Sequence, residues 1–566
     1  MKTPEQIHRA VAFRQKALNT ILNGFADSLR DGPSFSCEKD RDGRWFYQGT
    51  APFLSKPADD ARWRLGYACV ELTPTDYRSH RYYLGGYLTI ENGFNNSVER
   101  VIDAMSCRII ALDDGSGRGV SLFATIDCIG LSNYDVRRIR RNLSDLIRIE
   151  RPDVRLASVN VFSTHAHSCV DTQGLWTDTL KTVCRNLKKN KTGRGTYRPG
   201  ADDFFMTALT RKVAQCMLDA INDLTPGTIT AAKKDIGEEY FTNKNRASAT
   251  ALVTGLLRLV FTPDDPAKRP TVIASLGAHP DVAGLPTTDG QGTGRDLCGE
   301  YVYYMGELIG RAGYHFMFFN GAICAIYMAR GASNDGVDFD HRYEQSIRYG
   351  RELARLTLAM TKTREEIEAD PLLYDREEIA RDTAASEKNG VPYTLWCENW
   401  DPVTEQPLPP LLNVRLKEVK IPVLNPLIKT VGKLNLVSYQ VLRDGSGEYS
   451  VVTEIGYLQL GDNLNVVFVP GEYCADLLKG GASLTAEGSF NGTDFPLPTL
   501  ETVFGVPLTA FGLANDAVGY IVPDNDYVLG EFKNHYHELI SLGAKTGSCV
   551  TQAFIELKEE LGKQVN

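Results

Sequence analysis

Apolar and polar residues fall into two alternating regimes along this chain. From "RLGYACVELTP" near residue 64 the pattern has period two, with "SCRIIALDD" and "GVSLFATIDCIGL" on either side of "DDGSGRG". Two β-rich runs around a Gly-rich turn predict a hairpin. "YDVRRIRRNLSDLIRI" then repeats every three to four residues and predicts a helix, followed by a strand in "RLASVNVFST". "DDFFMTALTRKVAQCMLDAIND" predicts a long amphipathic helix, and "GTITAAKKD", "ATALVTGLLRLVF" and "PTVIASLGAH" predict strands. Later strands are expected at "LNVRLKEVKIPV", "YSVVTEIGYLQLGD" and "LNVVFVP". Residues 1–60 read as a helical lead-in, with Ile7, Val11, Leu18, Ile21 and Leu22 at near-helical spacing. The fold class is mixed α/β (α+β), a single large domain over 61–566 behind that lead-in.

Composition narrows the function classes. A net charge of −9 argues against a nucleic-acid binder, and 43% hydrophobic content supplies a sizeable core. No apolar run reaches the roughly 18 residues that span a bilayer. The N-terminus lacks the apolar centre of a secretory signal, and the twelve cysteines hold no C-x-x-C pair. Cys69, Cys107, Cys128 and Cys324 sit in apolar runs. The expectation is a cytoplasmic protein without disulfides. Residues 364–388 carry nine acids against four bases, read as a solvated face. The six-base stretch 184–198 reads as a solvated loop or a rim that attracts anions.

Candidate chemistry starts at "NVFSTHAHSC". In a strand His165 and His167 would project to one face. A second apolar run ends at His279, in "GAHPDVAG". A third, "NLNVVFVP", leads to Glu472, past a Pro-Gly turn and at the start of an expected helix; Tyr520 follows in "LANDAVGYIVP". Two imidazoles and a carboxylate are ligands that zinc takes when it keeps an open position. Asp127, in an apolar strand, is expected to pair near the site and to orient a histidine. The glycines at 290, 292 and 294 fit neither the dinucleotide fingerprint nor the P-loop.

"THAHS", "GAHPD", "FVPGEY" and "NDAVGYIVP", in that order, resemble the neutral (non-lysosomal) ceramidase superfamily. "LGYACVELTP", "VERVIDAMSCRIIALDD", "FATIDCIGLS" and "NKNRASATALVTGLLRLVF" extend the resemblance over roughly residues 64–540. It implies a Zn2+ ion held by His165, His279, Glu472 and Tyr520, with His167 handling a proton and Arg246 stabilising an oxyanion. The family's serine falls in the stretch matching "HFMFFNGAICAIY", where Asn320-Gly321 stand in its place. That points to water activated by the metal rather than a serine nucleophile. "CVDTQGLWTD" replaces a Gly-rich turn, so Asp171, Gln173 and Trp176 are expected on the rim, and Asp296 near the metal's surroundings. About 45 residues follow Tyr520, too few for the family's C-terminal immunoglobulin-like domain.

The expectation is a zinc-dependent hydrolase cleaving an amide-type bond in a small, polar, soluble substrate, with no nucleic-acid partner and no membrane span. The alternatives are metal-dependent chemistry on a sugar or polyol and a non-catalytic binding protein on the same fold.

Overall fold

Strands buried on both faces need apolar residues at nearly every position, and the chain supplies them: Val120–Ile126 is buried throughout. The computed structural model describes all residues except 1–3, 34–44, 87–95, 244–246, 282–294, 330–341, 391–392, 444–445, 532–534 and 564–566. Nine strands form the larger sheet: β1 Trp63–Glu71, β2 Ser106–Asp113, β3 Val120–Ile126, β4 Leu156–Ser163, β5 Thr225–Asp235, β6 Gly255–Pro263, β7 Thr271–Leu276, β8 His315–Asn320 and β9 Gln406–Leu408. Their order is β8-β7-β6-β5-β1-β2-β3-β4, with β9 also on β5. The expected hairpin is β2–β3, paired Cys107 to Ile126.

Only β3–β4 and β7–β8 pair in parallel within this sheet. Parallel neighbours need a crossover, and a helix supplies each one: Asn133–Glu150 for the first pair, Glu300–Arg311 for the second. Ligand sites in such βαβ units gather beyond the carboxyl ends of the strands. The two histidine segments lie there.

A second sheet follows: β10 Leu412–Pro422, β11 Val441–Arg443, β12 Tyr449–Leu460, β13 Leu464–Phe468 and β14 Thr509–Phe511, ordered β10-β12-β13-β14 with β11 also on β12. Leu412, Val414 and Leu416 of β10 face the larger sheet. Val419 and Ile421 turn the other way, toward the side of the C-terminal helix Thr546–Gly562. The helices Asn133–Glu150 and Asp203–Asn222 cover the outer face of β2 and β3. The result is helix, sheet, sheet, helix, a mixed α/β body as expected.

The larger sheet coils until its edge strands meet. Phe162 on β4 and Phe319 on β8 touch edge to face, ring centroids 4.9 Å apart. Phe511 of the second sheet stacks on Phe319 at 4.2 Å, and Phe468 meets Phe162 at 5.2 Å. Aromatic pairs of this kind add roughly 0.5–1.5 kcal/mol beyond burial. Twist accumulated over eight strands brings together edges that no ladder joins.

Four local expectations are corrected. Residues 249–261 are not one strand: Ala247–Leu252 is a 3-10 turn, and β6 starts at Gly255. The basic stretch is mostly helix, Thr179–Thr192, closed by Gly193 in the left-handed conformation. The acidic region is only partly solvated, since Glu378 turns inward to a bidentate pair with Arg355 at 2.8 and 2.9 Å. Cys69 is exposed, near the carboxyl end of β1. The eleven described cysteines are free thiols, and no helix among the described residues is long and apolar enough to cross a membrane.

Candidate metal centre

β4 stops at Ser163, so the two histidines lie beyond the strand, and strand alternation is not what pairs them. His165 has φ +68°, a conformation that non-glycine residues adopt at a cost and that clusters at functional sites. The turn it makes brings the rings of His165 and His167 to 4.8 Å, edge to face. On the other flank, His279 follows β7 and its ring lies 4.8 Å from that of His165. Ligand atoms of the three imidazoles all lie within 4.8 Å of one another, a group that could hold a metal ion.

Glu472 does not start a helix. It forms a two-residue ladder, Glu472–Tyr473 on Tyr520–Ile521, in parallel register. Glu472 and Tyr520 are therefore direct neighbours on one face. Glu472 Oε2 lies 3.0 Å from His279 Nε2 and 3.3 Å from His165 Nε2. The structure thus brings His165, His167, His279, Glu472 and Tyr520 together. Arg246 and Gly290, Gly292 and Gly294 lie outside the described residues.

The tautomers follow from the hydrogen bonds. His165 Nδ1 lies 2.7 Å from the carbonyl of Ile129, and His279 Nδ1 2.8 Å from that of Ile326. A carbonyl only accepts, so each Nδ1 carries the hydrogen. In the neutral rings both Nε2 lone pairs then point at one carboxylate oxygen. Acceptors facing an acceptor repel unless a cation or protons stand between them. Burial pushes the Glu472 carboxyl up, but with protons on the two Nε2 atoms the charge of His165 and the hydrogen bonds from both rings outweigh it and hold the group well below the usual carboxylate range. Burial, then the Glu472 charge, pushes the Tyr520 phenol well above its ordinary value, so it keeps its hydrogen and bonds Glu472. Burial, then His165 and His279, pushes His167 well below the usual histidine range, leaving a neutral imidazole.

Several expected neighbours do other work. Asp127 is paired with Arg108 at 2.8 Å, not with a histidine; backbone carbonyls orient the rings instead. Asp171 is buried and accepts from the amides of Gln173, Gly174 and Trp176, while Gln173 donates to the Ala517 carbonyl. These residues shape a buried turn, so the exposed rim expected of them is not there. Asp296 pairs with Arg100 at 2.7 Å. Asn320 bonds only backbone groups.

Tyr327, Tyr536 and His537 went unnoticed in the sequence. The Tyr327 ring stacks on His279 at 4.7 Å, and its hydroxyl meets that of Tyr536 and lies 3.2 Å from His537 Nε2. Tyr327 and Tyr536 are 209 residues apart, and no spacing links them. Gly86, at φ +127°, backs His167: a Cβ there would come within 2.6 Å of the His167 Cβ. "LGGY" was the only signal.

The fold that carries this centre is a neutral-ceramidase-like one. The chain superposes on the neutral ceramidase from Pseudomonas aeruginosa with TM-score 0.56 and 11% identity, covering 90% of this chain and 75% of that one. A ceramidase structure described as complexed with C2 gives TM-score 0.54 and 11% identity, over 89% and 76%. No protein-family model matches the sequence, and no curated protein matches it.

Proposed function

We propose that this protein is a zinc-dependent hydrolase that cleaves an amide-type bond in a small polar substrate. The observation that carries the reading is the convergence of two imidazole Nε2 atoms on one buried carboxylate oxygen, an arrangement that suits a divalent cation. His165, His279 and Glu472 would hold the ion, with the Tyr520 oxygen as a fourth ligand once the ion displaces its hydrogen. Zinc, when bound, supplies a Lewis acid that polarises a carbonyl and acidifies water.

The chain's own residues supply the rest. His167, held as a neutral imidazole with its ring nitrogens buried, takes the proton of the attacking water and returns it to the departing amine nitrogen. Arg246 is assigned to the developing oxyanion. Asn320 has its side chain committed to backbone groups and offers no nucleophile. One C–O bond forms, one C–N bond breaks, and the products are an acid and an amine. The ceramidase-like fold supports an amide over other acyl groups. The hydroxyls of Tyr327 and Tyr536 and the His537 ring crowd one flank and support a polar substrate.

The test is elemental analysis of protein purified without chelators, beside amine release from a panel of short and long N-acyl compounds. The expected result is about one zinc per chain and turnover of short polar amides. Zinc-loaded protein that releases no amine from any of them would sink the hydrolase reading.

A further inference from the structure

We infer that Asn320 is a positioning residue that sets the separation between His165 and His279. Asn320 ends β8 and is 1% exposed. Its Nδ2 donates to the carbonyl of Thr164 at 2.8 Å and to that of Ala278 at 3.2 Å. Its Oδ1 accepts from the amides of Ala278 at 3.2 Å and Gly321 at 3.0 Å. Thr164 and Ala278 are the residues immediately before the two histidines. One side chain therefore grips both histidine segments at their points of departure.

The need for such a grip follows from the topology. β4 and β8 stand at opposite ends of the strand order, so no ladder fixes the end of β4 against the ends of β7 and β8. The backbone route between them is indirect, from Asn320 through Gly512 to Leu513 and Ser163. The Thr164 carbonyl belongs to the peptide that leads into His165, whose left-handed backbone persists only where its surroundings over-determine it. Tyr301 also donates to the Ala278 carbonyl, at 2.9 Å, but does not bond Thr164. The planar, two-ended amide of asparagine suits this task, since it gives and accepts at once. A serine in its place would reach too short a distance to hold both segments.

This inference rests on the reading that both histidines bind one metal ion. The variants are Asn320→Ala and, in case the first folds poorly, Asn320→Ser. Asn413→Ala, another buried asparagine with backbone bonds, stands on β10 as the control. The readouts are zinc affinity by chelator competition and the visible absorption of cobalt-substituted protein, which reports coordination geometry; circular dichroism selects folded material. Folded Asn320 variants should bind zinc about 10–100-fold more weakly, the usual effect of removing a group that orients ligands, with an altered cobalt spectrum. Asn413→Ala should change neither. Asn320 variants with wild-type affinity and spectrum would overturn the inference, even if their stability falls. Wild-type protein that binds no metal would instead bring down the hydrolase reading, and this inference with it.

Discussion

At the residue scale, two histidines separated by a single residue meet different partners through their ring nitrogens, and the roles proposed for them differ accordingly. His165 commits Nδ1 to the Ile129 carbonyl and aims Nε2 at Glu472, so only Nε2 is free to bind a metal. His167 lies against the other two rings and is held neutral by burial and by them. We expect His165→Ala, His279→Ala and Glu472→Ala to lose zinc in elemental analysis. His167→Ala should retain it and lose about 10²–10⁴-fold in turnover, the typical cost of removing a placed proton carrier. Full zinc in His165→Ala, or an empty His167→Ala, would reverse the assignment. Quenched-reaction mass spectrometry should likewise find no acyl group on any serine, nor on Cys324, the buried thiol of the β8–Ile326 connection.

At the element scale, the strands and helices were legible wherever one period persisted. The βαβ unit β3, Asn133–Glu150, β4 reads directly from two β-rich apolar runs on either side of a helical repeat. What periodicity cannot carry is any residue whose position depends on a turn or a distant strand. His165 and Glu472 are such residues: one sits at positive φ, the other in a two-residue ladder too short to leave a pattern. The meeting of β4 with β8 was invisible for the same reason, because accumulated twist is a property of the whole sheet. Asp127 misled because a buried carboxylate advertises a partner without naming it, and here the partner is Arg108 on the adjacent strand β2.

A pH effect also belongs to this scale. Asp516, in the segment between β14 and Tyr520, is pushed up to about 7 by burial, against hydrogen bonds from Thr453 and the amides of Ala517 and Asn133. A carboxyl with a folded-state pKa above its unfolded value of 3.8 stabilises most below that value. Its contribution is lost as pH rises through about 7. Asp516→Asn keeps the Oδ1 acceptor and removes the titration. Relative to wild type the variant should therefore gain stability between pH 5 and pH 8, by up to about 3 kcal/mol. Urea unfolding at the two pH values measures it; a difference that is flat or falls with pH contradicts the assignment.

At the scale of the whole molecule, the centre ties together segments from residue 165 to residue 520, spread over both sheets. His165 comes from one edge of the larger sheet and His279 from beside the other edge. Glu472 and Tyr520 come from the segments that follow β13 and β14. An ion bound there cannot stay bound once any one layer opens, so its binding free energy becomes stability of the whole fold. At 100–1,000 times the dissociation constant that linkage is worth roughly 2.7–4.1 kcal/mol. With an unfolding entropy near 2.1 cal/mol/K per residue over 566 residues, this corresponds to a shift of roughly 2–3 °C. Scanning calorimetry of zinc-loaded protein before and after chelation should show the entire transition move down by that amount, without splitting. Glu472→Gln keeps the shape of the side chain but removes the charge that favours the ion, and its transition should not respond to the chelator. If stripping stoichiometric zinc from the wild type leaves the transition where it was, the ion is not held across these segments.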